Sequence, residues 1–401
     1  MSLSVQIVLE MRFMATPDGK VWTQTTCAYD FWQRYLEVFD EVRVVARVGA
    51  IARLTGDCLR ADGPGVRFLH VPHYLGLKQF VRKYVHIRRA LRSPVDRLQA
   101  TLYRIPSVLA EMSVWSSGRE SAPVGVEVVG DPADVFAPGT LRHPLRPLLR
   151  AYFTHHLKRF CRAAEAVAYV NESVLRRRYP PKAGAFVTSY SSVELPAEAF
   201  RRQAVSIRPN AEVRITFVGS LAQRYKGADV LIAALGKCIE AGGNPRLRII
   251  GDGRHKDRLR LQAQQLGLAD RVIFLGHLPA GEAVRRELDA GDLFVLPART
   301  EGLPRAVIEA MARCKPCIAT TVGGIPELLP AEDLVAPDDV DALAAKMVQV
   351  LRDPARMQAM ADRNYLKARE YRKEVLDARR KALYAHLRLR TEAWLRQGGL
   401  G

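Results

Sequence analysis

Two glutamates eight residues apart, Glu301 and Glu309, bracket the run Glu301-Gly302-Leu303-Pro304-Arg305-Ala306-Val307-Ile308-Glu309-Ala310-Met311-Ala312. A carboxylate only accepts hydrogen bonds, and it can take two vicinal hydroxyls at once. The run follows an apolar, strand-like stretch, Leu293-Phe294-Val295-Leu296, so the order reads strand, short loop, helix. Pro304 suits the first helical turn, where its missing N–H costs nothing. With the first glutamate at the helix mouth, the pair spans roughly 12 Å along the axis at 1.5 Å per residue. A helix N-terminus offers free N–H groups and the positive end of a dipole, a setting that suits phosphate. Solvated surface acids share this spacing. The apolar neighbours Ile308, Ala310, Met311 and Ala312 argue against a simple exposed face for Glu309.

The elements around this run must position it. Upstream stand Phe217-Val218-Gly219 with Lys226-Gly227, then Ile249-Ile250-Gly251-Asp252-Gly253, then Val272-Ile273-Phe274-Leu275-Gly276; downstream comes Gly323-Gly324-Ile325-Pro326-Glu327. Each of the first three is an apolar run ending in glycine, which reads as a strand whose loop lets backbone approach a ligand. Gly251-Asp252-Gly253 lacks the remainder of a dinucleotide fingerprint, because Arg254, His255 and Lys256 follow where G-x-G-x-x-G needs a third glycine.

In this order and spacing the segment from about 213 to 352 resembles the donor-binding domain of the retaining glycosyltransferases of family 4, which have the GT-B fold. The resemblance is strong over that segment and weak over the N-terminal half. It implies an α/β chain with two Rossmann-like domains facing across a cleft: an acceptor-binding domain over 1–205, a nucleotide-sugar donor-binding domain over 206–375, and a C-terminal helix over 376–401 that returns to the first domain. It also implies roles. Glu301 would contact hydroxyls of the transferred sugar, Glu309 would accept from the nucleotide ribose, and Lys226 would pair with the diphosphate. The 12 Å span is about that from a sugar across a diphosphate to a ribose. Gly219 and Gly251 would let backbone close on the donor, Gly276 would line the base, and Gly302, Leu303 and the segment at Pro304 would face the donor. No metal and no cofactor is called for. Relatives carry an arginine directly after the first glycine, where this chain has Ser220. Arg224, in the same loop, is either its replacement or a solvated turn cation.

The first half departs further. After the first strand, Val5-Gln6-Ile7-Val8-Leu9, the family's glycine-rich loop corresponds to Thr16-Pro17-Asp18-Gly19-Lys20, with Gly19 alone. The family's sugar-facing histidine is missing from Leu102-Tyr103-Arg104-Ile105-Pro106-Ser107. Arg104 is the candidate in its place, against a surface strand-end arginine. Further strands are predicted at 42–46, 125–130 and 166–170, a helix within 24–39, and a linker near 195–212.

Composition bounds the rest. A chain of 401 residues with 48% apolar content fits two α/β domains. No apolar run reaches the 18 or so residues of a membrane span. Met1–Phe13 reads as a first strand and not as a signal peptide, so a cytoplasmic enzyme is expected. Cys314-Lys315-Pro316-Cys317 has redox or zinc spacing but no second pair and no nearby histidine. It reads as two packed cysteines. Asp339-Val340-Asp341 precedes a helical run and reads as a cap.

The net charge of +19 implies an anionic partner. It concentrates at 78–104, with eight Lys or Arg against Asp96, and at 142–162, with six and no acid. The first segment interleaves Phe80, Val81, Tyr84 and Val85 and is expected to meet an anionic inner-membrane surface on its cytoplasmic face or a polyanionic acceptor. The second is expected to be a core-packing helix with a basic face. No nucleic-acid motif is present. The expected activity is sugar transfer from a UDP or GDP sugar to a glycan, lipid-linked, in bacterial exopolysaccharide, capsule or O-antigen synthesis. The rivals are an isomerase of nucleotide-sugars on the same fold, a catalytically dead glycan-binding relative, and a nucleic-acid binder.

Overall fold

The computed structural model describes residues 2–54, 56–92, 99–117, 123–136, 144–202 and 212–398. The first half is built on nine strands: β1 (Ser4–Ala15), β2 (Val21–Thr23), β3 (Glu41–Ala50), β4 (Leu59–Arg60), β5 (Val66–Pro72), β6 (Gln99–Ile105), β7 (Val124–Val128), β8 (Ala166–Tyr169) and β9 (Phe186–Ser189). Seven pair in parallel in the order β5-β3-β1-β6-β7-β8-β9. The runs of the central strands β1, β6, β7 and β8 are largely buried on both faces, as a sheet covered by crossover helices requires. The far end of β1 turns back antiparallel onto β2, which pairs β4. That hairpin corrects the reading of 16–20 as a loop over the cleft. Gly19 sits at its tip with φ +80° and open space around it. The loop-like break comes earlier, at Leu9–Met11, where the β1–β3 register shifts between Val8 and Arg12.

The second half carries β10 (Val213–Val218), β11 (Pro245–Ile250), β12 (Val272–Gly276), β13 (Leu293–Leu296), β14 (Cys317–Thr320) and β15 (Leu334–Val335). They run in the order β12-β11-β10-β13-β14-β15, all parallel. In chain order this is 3-2-1-4-5-6, the doubly wound arrangement, whose ligands bind beyond the carboxyl ends of the two strands where the order reverses. Here those strands are β10 and β13; in the first sheet they are β1 and β6.

The predicted helix within 24–39 is shorter, Tyr29–Leu36. Helix Arg146–Ala163 buries only Leu157 and Cys161, while Leu145, Leu148 and Tyr152 are exposed, so the core-packing reading of 142–162 holds for its last turns alone. Of that segment, 142 and 143 lie outside the described residues, as do 203–211 of the expected linker and 93–98 of the first basic segment. Helix Lys373–Arg396 begins against the second core through Leu376. It then crosses to the first, where Leu383, Tyr384, Leu387 and Leu395 pack with Val5, Ile7, Leu102 and Ala168.

Candidate functional site

The helix of the glutamate run spans Arg305–Ala312, with Pro304 as its N-cap in extended backbone. Glu301 therefore lies four residues ahead of the helix, and helical rise does not set its distance from Glu309. Its loop is held from behind. Gly323 has φ +55° and a Cβ there would fall 1.6 Å from the Glu301 carbonyl oxygen, so only glycine fits. Lys226, from the loop after β10, pairs with the Glu301 carboxylate, and the two side chains are 16% and 9% exposed. Burial raises the Glu301 pKa above its ordinary value, and the Lys226 ammonium only partly offsets it. Burial likewise raises Glu309, with Arg305 and Arg285 pulling the other way. The Arg305 guanidinium stands 3.9 Å from the Glu309 carboxylate. Glu309 is half-buried, 27% exposed, and a partly desolvated, incompletely paired carboxylate favours a ligand that brings hydroxyl donors.

Gly219, Gly251 and Gly276 meet at the carboxyl ends of β10, β11 and β12. The Gly251 N–H donates to the Gly276 carbonyl at 2.8 Å. A Cβ on Gly251, which has φ +142°, would lie 1.9 Å from the Gly219 carbonyl oxygen. Ser220 is exposed, and its Oγ accepts from the Ala222 N–H at 3.2 Å. Arg224 pairs with Asp229, a carboxylate that Arg299 also grips at 2.9 Å. Arg224 lines a separate hollow with Arg299 and Asp338 and not the cleft. Leu303 is buried, 7% exposed, and the Gly302 carbonyl accepts from the Gly324 N–H at 2.7 Å.

A cavity of about 710 Å³ opens between the two halves. Arg285, Arg305 and Glu309 line it from the second half; Glu10, Phe31, Arg34, Arg104, Glu127 and Tyr190 line it from the first. Arg104 is no surface arginine. It pairs with the buried Glu127 and donates to the Tyr35 hydroxyl at 3.2 Å. Tyr190 and Tyr384 hydroxyls donate to the same Glu127 oxygen at 2.6 and 2.9 Å. Burial pushes Glu127 up, but Arg104 and these hydroxyls outweigh it and hold the carboxyl below its ordinary value. Glu10, in the β1 break, accepts from Tyr74 at 2.7 Å and from Ser107 at 3.1 Å. None of Glu10, Glu127, Arg34 or Arg285 carries a sequence signal, since their partners come from distant positions.

The two halves are also clamped. Glu327 accepts from the backbone N–H groups of Glu172, Ser173 and Val174 at 2.6, 2.9 and 3.1 Å, and from the Ser173 hydroxyl at 2.8 Å. Asn171 donates to the Gly302 carbonyl at 3.3 Å and accepts from the Leu175 N–H at 2.9 Å. The motif Gly323–Glu327 therefore props the Glu301 loop with its glycines and grips the first half with its carboxylate. Elsewhere, Asp339 caps its helix through the Ala342 N–H at 2.8 Å. Cys314 and Cys317 are buried, and among the described residues no cluster of His, Cys, Asp or Glu is arranged to hold a metal ion.

Residues 212–353 match the family described as glycosyl transferases group 1. The chain is similar to protein CapJ of Staphylococcus aureus, 27% identical over 317 residues that cover 78% of each. It is also similar to the GDP-mannose-dependent monoacylated alpha-(1-6)-phosphatidylinositol monomannoside mannosyltransferase of Corynebacterium glutamicum, 40% identical over 144 residues, 34% of this chain and 37% of that relative. Among solved structures, sucrose-phosphate synthase of Thermosynechococcus elongatus superposes with a TM-score of 0.66 over 98% of each chain at 18% identity, a likeness of fold.

Proposed function

We propose that this chain, a GT-B glycosyltransferase whose residues 212–353 form its group 1 domain, transfers a sugar from a UDP or GDP sugar to a lipid-linked glycan with retention of anomeric configuration. The observation that carries this reading is the Lys226–Glu301 pair in the loops ahead of the Arg305–Ala312 helix, with Glu309 on that helix lining the interdomain cavity. In this scheme Lys226 leaves Glu301 to pair with the donor diphosphate, and Glu301 turns to the sugar hydroxyls. Glu309 holds the ribose. The bond between the anomeric carbon and the diphosphate oxygen breaks. The acceptor hydroxyl bonds the same face of that carbon, and its proton passes to the departing diphosphate. Catalysis is then electrostatic: fixed charge stabilises the leaving group and the oxocarbenium-like sugar. No step in this scheme calls for a metal.

The bacterial polysaccharide setting draws on the relatives, and the membrane setting on the surface of the first half. No helix among the described residues is long and apolar enough to cross a membrane. Helix Gly76–Leu91 buries only Ile87 and Leu91. Leu77, Val81, Tyr84 and Val85 are exposed among Lys78, Arg82, Lys83, Arg88 and Arg89. An apolar strip rimmed by cations suits the cytoplasmic face of an anionic bilayer. A panel of UDP, GDP, TDP and ADP with their sugars tests the donor site by thermal shift on wild type and Glu309→Ala. A ligand at 100 times its Kd adds about 2.7 kcal/mol. One nucleotide is expected to stabilise wild type and to do so less in the variant. A wild type indifferent to every nucleotide would sink the reading. The anomeric configuration of the product decides retention.

A further inference from the structure

Beside the cleft, the first half carries a groove of about 630 Å³ that the donor chemistry does not use. One wall is a face of helix Arg146–Ala163 presenting Arg146, Arg150, His155 and Lys158; the other is Phe136 and Arg178. Arg178 is committed, bound to Asp131 and, at 2.8 Å, to Asp134. Arg146, Arg150 and Lys158 make no ion pair within 4.0 Å with a described carboxylate, and the sequence contains no Asp or Glu from 135 to 164. Arg150 feels the Asp134 carboxylate, but that carboxylate is already bound by Arg178, so the helix face keeps an excess of positive charge. Arg146 and Arg150 stand one turn apart, about 6 Å along the axis, within reach of a single dianionic group. Guanidinium forks match phosphate oxygens in pairs.

Position says what that group belongs to. Val128 and Val129, at the carboxyl end of β7, line the interdomain cavity, and four residues on Ala133 lines the groove. On its other side the same helix exposes Leu145, Leu148 and Tyr152. The groove thus adjoins the cavity through the segment after β7 and shares its helix with the exposed apolar residues, a set that suits sugar, anion and hydrocarbon. We propose that the groove binds the diphosphate joining an acceptor glycan to its lipid, with Arg146 and Arg150 as the principal contacts and Lys158 beyond them. This rests on the transferase reading above and names the acceptor class.

The test is calorimetric titration of the full chain with farnesyl diphosphate, with farnesol as the uncharged control. Wild type, Arg146→Gln/Arg150→Gln and Lys226→Ala are compared, the last to remove diphosphate binding at the donor loop. Farnesyl diphosphate is expected to bind wild type and Lys226→Ala alike and at least tenfold more weakly to the double variant, with farnesol binding unaltered by it. Equal binding to wild type and the double variant overturns the proposal. So does a double variant that keeps farnesyl diphosphate but loses sedimentation with phosphatidylglycerol vesicles tenfold, because the groove would then serve bulk headgroups. Nucleotide thermal shifts on the same proteins separate the two readings. Nucleotide response should persist in the double variant and fall in Lys226→Ala. A wild type that no nucleotide stabilises sinks the transferase reading, while farnesyl diphosphate still reports on the groove.

Discussion

Each half of the molecule sets a carboxylate at the cleft, buried in the first and 27% exposed in the second, and the two are treated in opposite ways. Glu127 in the first half is surrounded by Arg104, Tyr35, Tyr190 and Tyr384, and its pKa is depressed. Glu309 in the second half has an arginine only at 3.9 Å, and its pKa is raised. Both are shielded from water, Glu127 fully and Glu309 in part; only Glu127 is satisfied. A carboxylate with every lone pair answered belongs to the scaffold. One left under-paired in a cavity is poised for a partner that the chain does not supply.

The contrast is broken hardest at Glu127. Glu127→Ala leaves the Arg104 charge buried without its partner and three hydroxyls without their acceptor, which costs about 3–5 kcal/mol. Chemical denaturation followed by tyrosine and tryptophan signals should register that loss, while nucleotides still stabilise the second half. A variant as stable as wild type would show that the hub is not structural. Next in size is Lys226→Ala. Removing a preorganised charge from a developing anion costs about 10²–10³ in kcat. A variant whose kcat stays within threefold of wild type would remove Lys226 from the chemistry.

The pH dependence sharpens the comparison further, because the signs oppose. A carboxyl with a raised folded pKa contributes stability below its unfolded value and loses it as pH rises through the folded one. A depressed carboxyl contributes above its unfolded value and loses it as pH falls through the folded one. From the ordinary glutamate value of 4.5 upward, wild type should lose ground against Glu309→Gln. From 4.5 downward, it should lose its advantage over Glu127→Gln. Melting curves from pH 3 to 7, about the usual carboxylate range and above, measure both gaps; gaps with parallel slopes would contradict the contrast. The smallest effect is expected at Arg224. Since it is occupied by Asp229 and about half exposed, Arg224→Ala should cost about 0.2–1 kcal/mol of stability and change donor affinity less than twofold. A larger affinity loss would restore it as the substitute for the arginine that Ser220 displaces.

Legibility in the sequence divides along the same line. The strands of the second half and the helix that follows β13 could be read because they sit in local patterns: an apolar run, a glycine, a helix. The start of the helix was misplaced, since Pro304 tolerates either the cap or the first turn and spacing alone does not choose. The hub of Glu127 leaves no trace, because its partners stand at 35, 104, 190 and 384 and meet only once the first half and the returning helix are packed together. Arg104 was noticed for what it replaces, and its commitment to Glu127 was hidden. Gly19 lies at a hairpin tip because β1 runs on to pair with β2, while the break that lines the cleft, at Glu10, has the composition of an ordinary strand. Glu327 stood in a visible motif, but its task is to hold backbone amides, which no side-chain pattern records.

Helix Lys373–Arg396 contributes Leu383, Tyr384, Leu387 and Leu395 to the first core, and Tyr384 to the Glu127 hub. During synthesis domains ordinarily fold in the order they leave the ribosome. Here the earlier half must wait: until residues 373–396 emerge, a buried arginine–glutamate pair lacks one of its hydroxyls and an apolar face of the sheet lies open. The later half, whose core needs only Leu376 from that helix, can close first. The nascent chain would therefore finish in reverse, with its oldest residues the last to be sealed and the most dependent on chaperones while translation runs.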